Sequence, residues 1–369
     1  MREGWTYKKL GEACSFINDG DWIESKDQSE SGIRLIQTGN IGNGEYKDKG
    51  ERAKYISEDT FSKLECTEIF KGDCLVSRLP EPIGRCCILP ELENRCITAV
   101  DCSILRFKTD IIPQLFVYYS QSAKYAIDVE NKTTGTTRKR ISRKNLEGIQ
   151  IPIPPKSQQE AIVSELDEIN SLLALKREQL QKYDKLAQSL FYEMFGDPVE
   201  NEKNYPLCHV GDIYKFQYGK GNKIPEDKGE YLCYGSNGIV GHHTTYNSED
   251  SPIIGHIGAY AGIVNWGYGK HYVTYNGVIC KLQNNNFDKV YAYYMLKSQD
   301  YMHKIRVGVA QPFVSYDMLE APLVLVPPLS LQQQFASRIE QIESQKQQVQ
   351  AAIEKLETLL ASRMQYWFE

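Results

Sequence analysis

Apolar residues recur at alternating spacings of four and three residues in two long stretches of the chain. The first stretch contains Ile162, Leu166, Ile169, Leu173, Lys176, Leu180, Tyr183, Ala187, Leu190 and Met194. The second repeats it 173 residues later with Phe335, Ile339, Ile342, Lys346, Val349, Ile353, Leu356, Leu360, Arg363 and Trp367. A period of 3.5 residues is that of a coiled-coil seam. The pattern predicts two long helices, which would most simply pack on each other.

A proline pair precedes each predicted helix. Pro154-Pro155 is followed by Ser157 and Glu160, and Pro327-Pro328 by Ser330 and Gln333. Serine with Glu or Gln three residues later has the spacing of a capping box, so both helices are predicted to begin there. Gly196, followed by Pro198, indicates the end of the first helix. A helix from Ser157 to Gly196 would be roughly 58 Å long.

The rest of the chain has the pattern of strand-rich modules. Short runs of β-branched and aromatic residues between turn residues predict strands at 72–77, 102–107, 252–255 and 272–275. One amphipathic helix is expected in each module, at about 113–127 and 288–305. The predicted fold class is therefore α+β, in four parts: module 1 (1–155), helix 1 (156–200), module 2 (201–328) and helix 2 (329–369).

The charge distribution differs between the modules and the helices. The net charge is −5, yet residues 1–155 carry 23 Lys and Arg against 23 Asp and Glu, and residues 201–328 carry 11 against 11. The helical parts hold the acidic excess, which leaves the modules free to carry basic faces. One basic cluster has no acid between Asn131 and Leu146 and consists of Lys132, Arg138, Lys139, Arg140, Arg143 and Lys144.

Membrane, metal and catalytic signatures are missing from the sequence. No stretch of about 18 apolar residues occurs and the start has no apolar signal region, which predicts a cytoplasmic protein. The ten cysteines form no C-x-x-C pair and are expected to be buried free thiols. The nucleotide-binding, zinc-protease and serine-hydrolase motifs are absent, and the histidines lack metal-ligand spacing. We expect a non-catalytic chain with no metal or cofactor of its own.

Several loops have side chains suited to contacting nucleic acid. Residues 133–140 of module 1 combine a glycine, small hydroxyls and clustered cations, which suits a phosphate backbone. Module 2 offers amide, imidazole and phenol groups that can bond base edges. Solvated loops and plain turns remain the alternatives. The candidates are Thr38, Asn40, Arg78, Lys132, Thr134, Thr136, Thr137, Arg138 and Arg140 in module 1, and Tyr234, Asn237, His256, Tyr260 and Gln311 in module 2.

The order of these motifs resembles that of a known family. Module 1 ends with Gly135-Thr136-Thr137, Ile141-Ser142, Leu146-Glu147-Gly148-Ile149 and Ile151–Pro155, and module 2 ends with Gln311-Pro312, Leu319 and Val324–Leu329. This duplicated array is similar to the module ends of the DNA-specificity subunit of type I restriction-modification systems. The resemblance covers nearly the whole chain.

The resemblance implies a fold, a function and partners. It implies two target-recognition domains that face a duplex with pseudo-twofold symmetry and read a bipartite site, and two spacer helices packed antiparallel. The partners would be double-stranded DNA, two methyltransferase subunits and, further, restriction subunits. S-adenosylmethionine, and Mg and ATP where a restriction subunit joins, would belong to these partners. One departure is His256, where the family pattern leads us to expect arginine.

The residues alone also allow two other classes of protein, a scaffold and an enzyme. A scaffold that does not bind DNA would use both modules for protein partners and the helices as a dimerisation rod. An enzyme is disfavoured by the missing motifs. Steep salt dependence of duplex binding would separate DNA recognition from a protein scaffold, because bound cations release counterions from DNA.

Overall fold

The computed structural model describes Arg2 and residues 4–135, 139–221 and 228–369. The chain divides into two compact units: unit 1 is Met1–Lys176 with Ala352–Glu369, and unit 2 is Arg177–Ala351. The long helices Lys156–Phe195 and Leu329–Phe368 each contribute one segment to either unit. The predicted α+β fold with two strand-rich modules and two long helices is confirmed.

The described residues of unit 1 form two small sheets and two strand pairs. Its strands are β1 Thr6–Lys9, β2 Cys14–Asp19, β3 Gln28–Ser29, β4 Ile33–Ile36, β5 Lys54–Ile56, β6 Glu68–Ile69, β7 Cys74–Ser77, β8 Cys86–Ile88, β9 Cys96–Thr98, β10 Cys102–Phe107, β11 Thr133–Thr134, β12 Arg140–Ile141 and β13 Gln150–Ile153. The strand orders are β2-β10-β7-β8 and β3-β5-β4-β9-β6, and the pairs are β1-β13 and β11-β12. Its helices are α1 Leu10–Ala13, α2 Glu58–Lys63, α3 Pro113–Tyr119, α4 Ala123–Lys132, α5 Arg143–Glu147, the first part of α6 Lys156–Phe195 and the last part of the second long helix.

Unit 2 is built on one six-stranded sheet. Its strands are β14 Leu207–His209, β15 Tyr214–Tyr218, β16 Tyr231–Gly235, β17 Gly238–His243, β18 Ser248–Gly255, β19 Val264–Val273, β20 Gly277–Leu282 and β21 Leu323–Leu325. The sheet order is β15-β20-β18-β19-β16-β17, and β14 pairs with β21 as β1 pairs with β13. Its helices are the last part of α6, α7 Lys289–Ser298, α8 Tyr316–Glu320 and the first part of α9 Leu329–Phe368.

The predicted seam is the buried stripe of both long helices. Every seam position from Ile162 to Met194 and from Phe335 to Trp367 is buried or half-buried. Within unit 2, the Phe195 ring centroid lies 5.3 Å from that of Phe335, while Asp184 pairs with Lys346. Residues later in α6 thus contact residues earlier in the second long helix, so the two segments are antiparallel.

The helices begin one residue before the predicted capping serines. The amide of Gln159 donates to the Pro155 carbonyl, and the amide of Gln332 donates to the Pro328 carbonyl. These prolines are therefore the N-cap residues, and Ser157 lies inside the first turn, where it is exposed. The capping-box prediction is wrong in its detail, because proline carbonyls accept the first helical hydrogen bonds.

A buried glutamine fixes the first turn of each long helix. Gln159 donates from Nε2 to the carbonyls of Pro154 and Asp110, and its Oε1 accepts from the amide of Ile112, which precedes α3. Gln332, 173 residues later, repeats this arrangement in unit 2. It donates to the carbonyls of Pro327 and Asn286 and accepts from the amide of Asp288, which precedes α7. We call these two side chains the glutamine bridges.

The two module helices are shorter than the sequence pattern predicts. The 113–127 helix is broken into α3 and α4 because Ser122 caps a new helix by accepting from the Tyr125 amide. The 288–305 helix ends at Ser298, since Asp300 has a positive φ of 50°. A turn of π-helix, Tyr301–Ile305, follows. After each of these segments the chain continues into a short hairpin, at 133–141 in unit 1 and at 306–314 in unit 2.

The ends of the long helices differ in chemistry between the units. In unit 1, the Arg363 guanidinium donates to both carboxylate oxygens of Glu165, and Trp367 Nε1 also donates to Glu165. These hydrogen bonds, with that from Arg363 the largest cause, lower the pKa of Glu165. The corresponding positions in unit 2 are the apolar Leu190 and Met194. One helix end therefore relies on charge and the other on apolar packing.

The seam lysine of unit 2 has partners on both helices. Lys346 Nζ lies 2.8 Å from an Asp184 carboxylate oxygen on α6 and 3.1 Å from Glu343 on α9. Burial lowers the pKa of Lys346, but the hydrogen bonds to these two acids outweigh it and raise the pKa overall. Lys346 is therefore a paired cation at the seam.

The cysteines are free thiols, and nine of the ten are buried. Burial raises the pKa of Cys14 and of Cys102 to about 12, and of Cys66 to about 11. These thiols stay protonated at neutral pH. In the described part of the chain, no helix combines the length and the apolar content needed to cross a membrane.

Candidate nucleic-acid interface

The two units carry the same hairpin at the same register. In unit 1, Thr134 pairs with Arg140, and in unit 2, Val307 pairs with Phe313. Each number in the second pair is 173 higher than its counterpart in the first. A glycine with positive φ follows the first strand in both cases: Gly135 at 100° and Gly308 at 93°. We call residues 133–141 hairpin 1 and residues 306–314 hairpin 2.

Each hairpin is held by an equivalent hydrogen bond to the end of a central strand. The Ile141 amide donates to the Arg78 carbonyl at 3.2 Å, and the Val314 amide donates to the His256 carbonyl at 3.0 Å. Arg78 follows β7, and His256 follows β18. Position 256 is thus the structural counterpart of position 78. The duplication therefore extends from the helices to the loops at the ends of the sheets.

Arg78 and His256 are both buried, so neither is placed to contact DNA. Arg78 donates to the Val100 carbonyl and has its Nε 3.4 Å from an Asp19 carboxylate oxygen. His256 Nδ1 lies 2.9 Å from the Val314 carbonyl, and its ring lies 4.4 Å from the ring of Tyr218. The substitution of histidine for arginine therefore changes an internal contact, and we remove both residues from the proposed interface.

Two further candidates are also part of the interior. Asn40, 5% exposed, donates to the Lys47 carbonyl and accepts from the Gln37 amide, which closes its own loop. Tyr234, 3% exposed, packs in the apolar core of the sheet, and burial raises its pKa. Both predictions of a base contact are corrected, because the polar groups of Asn40 already bond the backbone and the Tyr234 ring belongs to the core.

The described residues of hairpin 1 present exposed cations. Arg140 lies 3.5 Å from an Asp101 carboxylate oxygen, and Lys139 lies 3.8 Å from Glu130. Exposed pairs of this kind are worth only about 0–1 kcal/mol, so a phosphate can replace the acid. Lys132 is half-buried at the end of α4, and Thr134 is exposed. Thr136, Thr137 and Arg138 lie outside the residues that the structure describes.

Thr38 is half-buried at the edge of a loop that a buried arginine holds in place. The guanidinium of Arg85 donates to the carbonyls of Thr38 and Ile41 and to those of Leu79 and Pro82. Arg85 is not among the residues predicted from the sequence. The available signal was a single arginine directly before the apolar strand β8, where a buried charge needs several hydrogen bonds.

The remaining candidates of unit 2 are exposed and lie on neighbouring loops. Asn237 occupies the two-residue turn between β16 and β17, Tyr260 follows β18, and Gln311 lies on hairpin 2. The Gly258 amide donates to the Pro312 carbonyl at 2.8 Å, which places the loop of Tyr260 against the hairpin. The structure therefore brings Tyr260 and Gln311 onto one surface.

The described segments that form this surface contain no acidic residue. Residues 231–248, 251–287 and 301–316 contain no Asp or Glu, and they include Lys304 and Arg306. Arg306 Nη1 donates to the Ala259 carbonyl at 2.7 Å, so this cation lies beside the Tyr260 loop. Loop segments that contain no acid and carry cations are complementary to a polyanion.

The histidines of unit 2 are not arranged as metal ligands. His271 is fully buried, with Nδ1 2.9 Å from the Gly269 carbonyl. Burial lowers its pKa, so the ring is neutral at pH 7. Across the described ranges, no three His, Cys, Asp or Glu side chains form a group that could hold a metal ion.

Paired units with equivalent strand pairs, glutamine bridges and hairpins define a duplicated two-module protein built on two long helices. Comparison with known families gives the class a name. The chain belongs to the type I restriction modification DNA specificity domain family, which matches residues 2–183 and 198–358. The resemblance inferred from the sequence is confirmed.

Two curated relatives have similar segments. The MjaVIII specificity subunit of a type I restriction enzyme from Methanocaldococcus jannaschii is 24% identical over 192 residues, which are 51% of this chain and 44% of that protein. The EcoAI specificity subunit from Escherichia coli is 25% identical over 175 residues, 46% of this chain and 29% of that protein. The matched segments thus span less than half the length of either relative.

Two solved structures share the fold over nearly their whole length. The S subunit of a type I restriction-modification system from M. genitalium has a TM-score of 0.58 and 16% identity, covering 98% of this chain and 95% of that one. A structure described as the basis of complex assembly and conformational transition of the type I R-M system also has a TM-score of 0.58. It is 14% identical and covers 100% of this chain and 98% of that one.

Proposed function

We propose that this chain is the subunit that recognises DNA in a type I restriction-modification assembly. Residues 1–155 and 201–328 would each be a target-recognition domain for one half of a bipartite site. The observation that carries the proposal is the pair of hairpins, equivalent in backbone register and different in tip sequence. A protein that recognises two different half-sites needs hairpins that are held in the same way but present different side chains to the DNA.

We infer that the chemistry of methylation belongs to partners. The family resemblance implies two methyltransferase subunits that bring S-adenosylmethionine, with Mg and ATP supplied where restriction subunits join. The role of this chain is then to hold the partners at a defined DNA sequence. Its own contribution is binding and geometry, and the location that follows is the cytoplasm, where the DNA is.

Duplex binding at several salt concentrations tests the proposal directly. The full chain, assembled with its methyltransferase partner, would be titrated with cognate and scrambled duplexes. We expect log affinity to fall linearly with log salt, by about 0.9 for each neutralised phosphate, and the cognate duplex to bind more tightly. A chain that binds protein partners but no duplex would contradict the proposal and favour the scaffold function.

Sequencing methylated bases in cells that carry the chain and its methyltransferase would reveal the recognised site. We expect a motif of two short half-sites separated by a fixed gap. Helix α6 contains 40 residues and no Pro or Gly, so it is roughly 60 Å long and stiff. This length is sufficient to separate contacts in two grooves about 34 Å apart.

A four-residue insertion after Gln179 would test the spacing role of the helix. It lengthens α6 by about 6 Å and turns the following residues by about 40°. We expect the half-sites to keep their sequences while the gap between them changes. Altered half-sites with an unchanged gap would show that the helix does not determine the spacing.

A further inference from the structure

Hairpin 2 carries an apolar side chain at the position most open to solvent. Val309 is 101% exposed, and Val307 and Phe313, the pair that closes the hairpin, are also exposed. The tip of hairpin 1 is instead Gly135-Thr136-Thr137-Arg138-Lys139, so Val309 corresponds to Thr136. Valine at such a tip contributes nothing to the core, which suggests that it contacts something outside the chain.

Val309 belongs to a wider surface made by three adjacent segments, two of which expose apolar side chains. Phe313 pairs with Val307 on the hairpin and with Ile257 on the loop after β18. A Cβ atom on Gly255 would lie 2.6 Å from the Ser236 carbonyl oxygen, so the β16–β17 turn lies against the same loop. The exposed apolar side chains on the loop after β18 and on hairpin 2 are Tyr260, Val307, Val309 and Phe313.

The charge around this surface favours DNA as its occupant. The three segments belong to stretches that contain no Asp or Glu; Lys304 lies two residues before hairpin 2, and Arg306 is its first residue. Cations beside an apolar tip fit a groove in which phosphates border the bases. Among the bases in the major groove, thymine alone presents a methyl group.

We propose that the half-site bound by unit 2 contains a thymine whose 5-methyl group packs against Val309. Gln311, two residues further along the tip, supplies an amide donor and acceptor for the edge of a neighbouring base. This inference rests on the proposed function and makes it specific. Hairpin 1 would then contact its half-site with cations and hydroxyls, whereas hairpin 2 would combine the apolar contact of Val309 with the amide of Gln311.

Replacing thymine by deoxyuridine tests the inference, because the exchange removes only the methyl group. The assembled full chain would be titrated with its cognate duplex, carrying deoxyuridine either in the half-site of unit 2 or in that of unit 1. We expect about four-fold weaker binding for the methyl group in contact with Val309, comparable to one buried methylene. The same exchange in the half-site of unit 1 serves as the control.

The variant Val309→Ser connects the effect to this side chain. It should bind the thymine and deoxyuridine duplexes equally, whereas Val199→Ser, at a valine 84% exposed outside the hairpin, should keep the four-fold preference. Both valines are exposed, so folding should be retained, which unchanged melting temperatures would verify.

Four outcomes would overturn the inference. The first is that the half-site of unit 2 contains no thymine on either strand. The second is that the unaltered chain binds the thymine and deoxyuridine duplexes equally. The third is that the Val309→Ser variant still prefers thymine. The fourth is a variant that loses only its methyltransferase partner, which would identify the surface as a protein interface. Failure of the unaltered chain to bind any duplex would contradict the proposed function itself, a distinguishable result.

Discussion

Hairpins 1 and 2 have the same supports and different tips. Ile141 and Val314 donate equivalent hydrogen bonds to the ends of central strands, and Gly135 and Gly308 have nearly the same φ. The five-residue tips are Gly-Thr-Thr-Arg-Lys and Gly-Val-Ala-Gln-Pro. Duplication has thus preserved what positions the hairpins, while the residues that would contact a ligand have diverged.

The sheets behind the hairpins have also diverged. Unit 1 has separate four- and five-stranded sheets, whereas unit 2 has one six-stranded sheet. The glutamine bridges and the β1-β13 and β14-β21 pairs are nevertheless equivalent. The bridges and strand pairs therefore specify the common scaffold, whereas the sheets give each unit its own surface.

Removing a glutamine bridge should have the largest effect on stability. Gln159→Ala or Gln332→Ala deletes three hydrogen bonds and leaves the amide of Ile112 or Asp288 without its acceptor. We expect each change to lower the free energy of unfolding by about 2–4 kcal/mol. Urea unfolding with hydrogen exchange would measure the loss and assign it to the affected unit.

The exposed Gln333→Ala is the matched control and should cost less than about 0.5 kcal/mol. If one bridge mattered and the other did not, the two units would not depend on an equivalent support.

Exchanging the tip of hairpin 1 for that of hairpin 2 should change binding and leave stability unaltered. The variant combines Thr136→Val, Thr137→Ala, Arg138→Gln and Lys139→Pro. We expect the slope of log affinity against log salt to shrink by about 0.9 for each lost phosphate contact, up to about 1.8. Titrations at several salt concentrations would measure it, and the melting temperature would show that the scaffold is intact.

The reverse change, Gln311→Arg, should steepen the slope by about 0.9 because hairpin 2 gains a cation. An Arg138→Ala, Arg140→Ala double variant with unaltered affinity and slope would show that hairpin 1 faces solvent. The interface of unit 1 would then have to be sought around Thr38.

Acid should weaken the helix end of unit 1 and not that of unit 2. The pKa of Glu165 is lowered by Arg363, so its contribution is complete above the unfolded value of about 4.3 and is lost as pH falls through the folded pKa. At pH 7, Glu165→Gln should melt a few degrees below the unaltered chain, and the difference should disappear on acidification.

Melting curves between pH 7 and pH 3 would provide the comparison. Glu168→Gln, which removes an exposed carboxylate from the same helix, is the control and should not reproduce the trend. A difference that persisted at low pH would mean that Glu165 acts through packing and not through its charge.

The smallest effect is expected for the seam lysine of unit 2. Lys346→Leu removes the ion pairs with Asp184 and Glu343 but adds apolar surface at a half-buried seam position. These contributions oppose each other, so the free energy of unfolding should change by less than about 1 kcal/mol. Urea unfolding and light scattering would measure stability and assembly. A stable variant that lost its single state of assembly would support a role for Lys346 in register.

The sequence predicts the long helices well because their signal is local and repeated. The seam positions from Ile162 to Trp367 are buried or half-buried, and the first helix ends at Gly196 with φ of 80°. The module helices were predicted too long, since Ser122 and Asp300 interrupt them within an otherwise continuous apolar pattern. A break that depends on one capping side chain or one strained residue is difficult to recognise from periodicity.

The candidate site could be predicted only in part. Residue type directed attention to loops that fold as hairpins and expose Arg140 and Gln311, but it could not separate exposed polar groups from buried ones. Arg78 and His256 bond the interior because of neighbours about 20 and 60 residues away. Such partners are brought together by folding, and sequence spacing alone does not reveal them.

The state of the thiols has a practical consequence for labelling. Thiolates react with maleimide reagents, whereas buried cysteines with raised pKa values react slowly. Nine native cysteines are buried, and burial also raises the pKa of Cys208, the half-buried tenth. A Val309→Cys substitution would therefore give one fast-reacting sulfur on the otherwise native chain, and a fluorophore attached there would report the arrival of a duplex at hairpin 2.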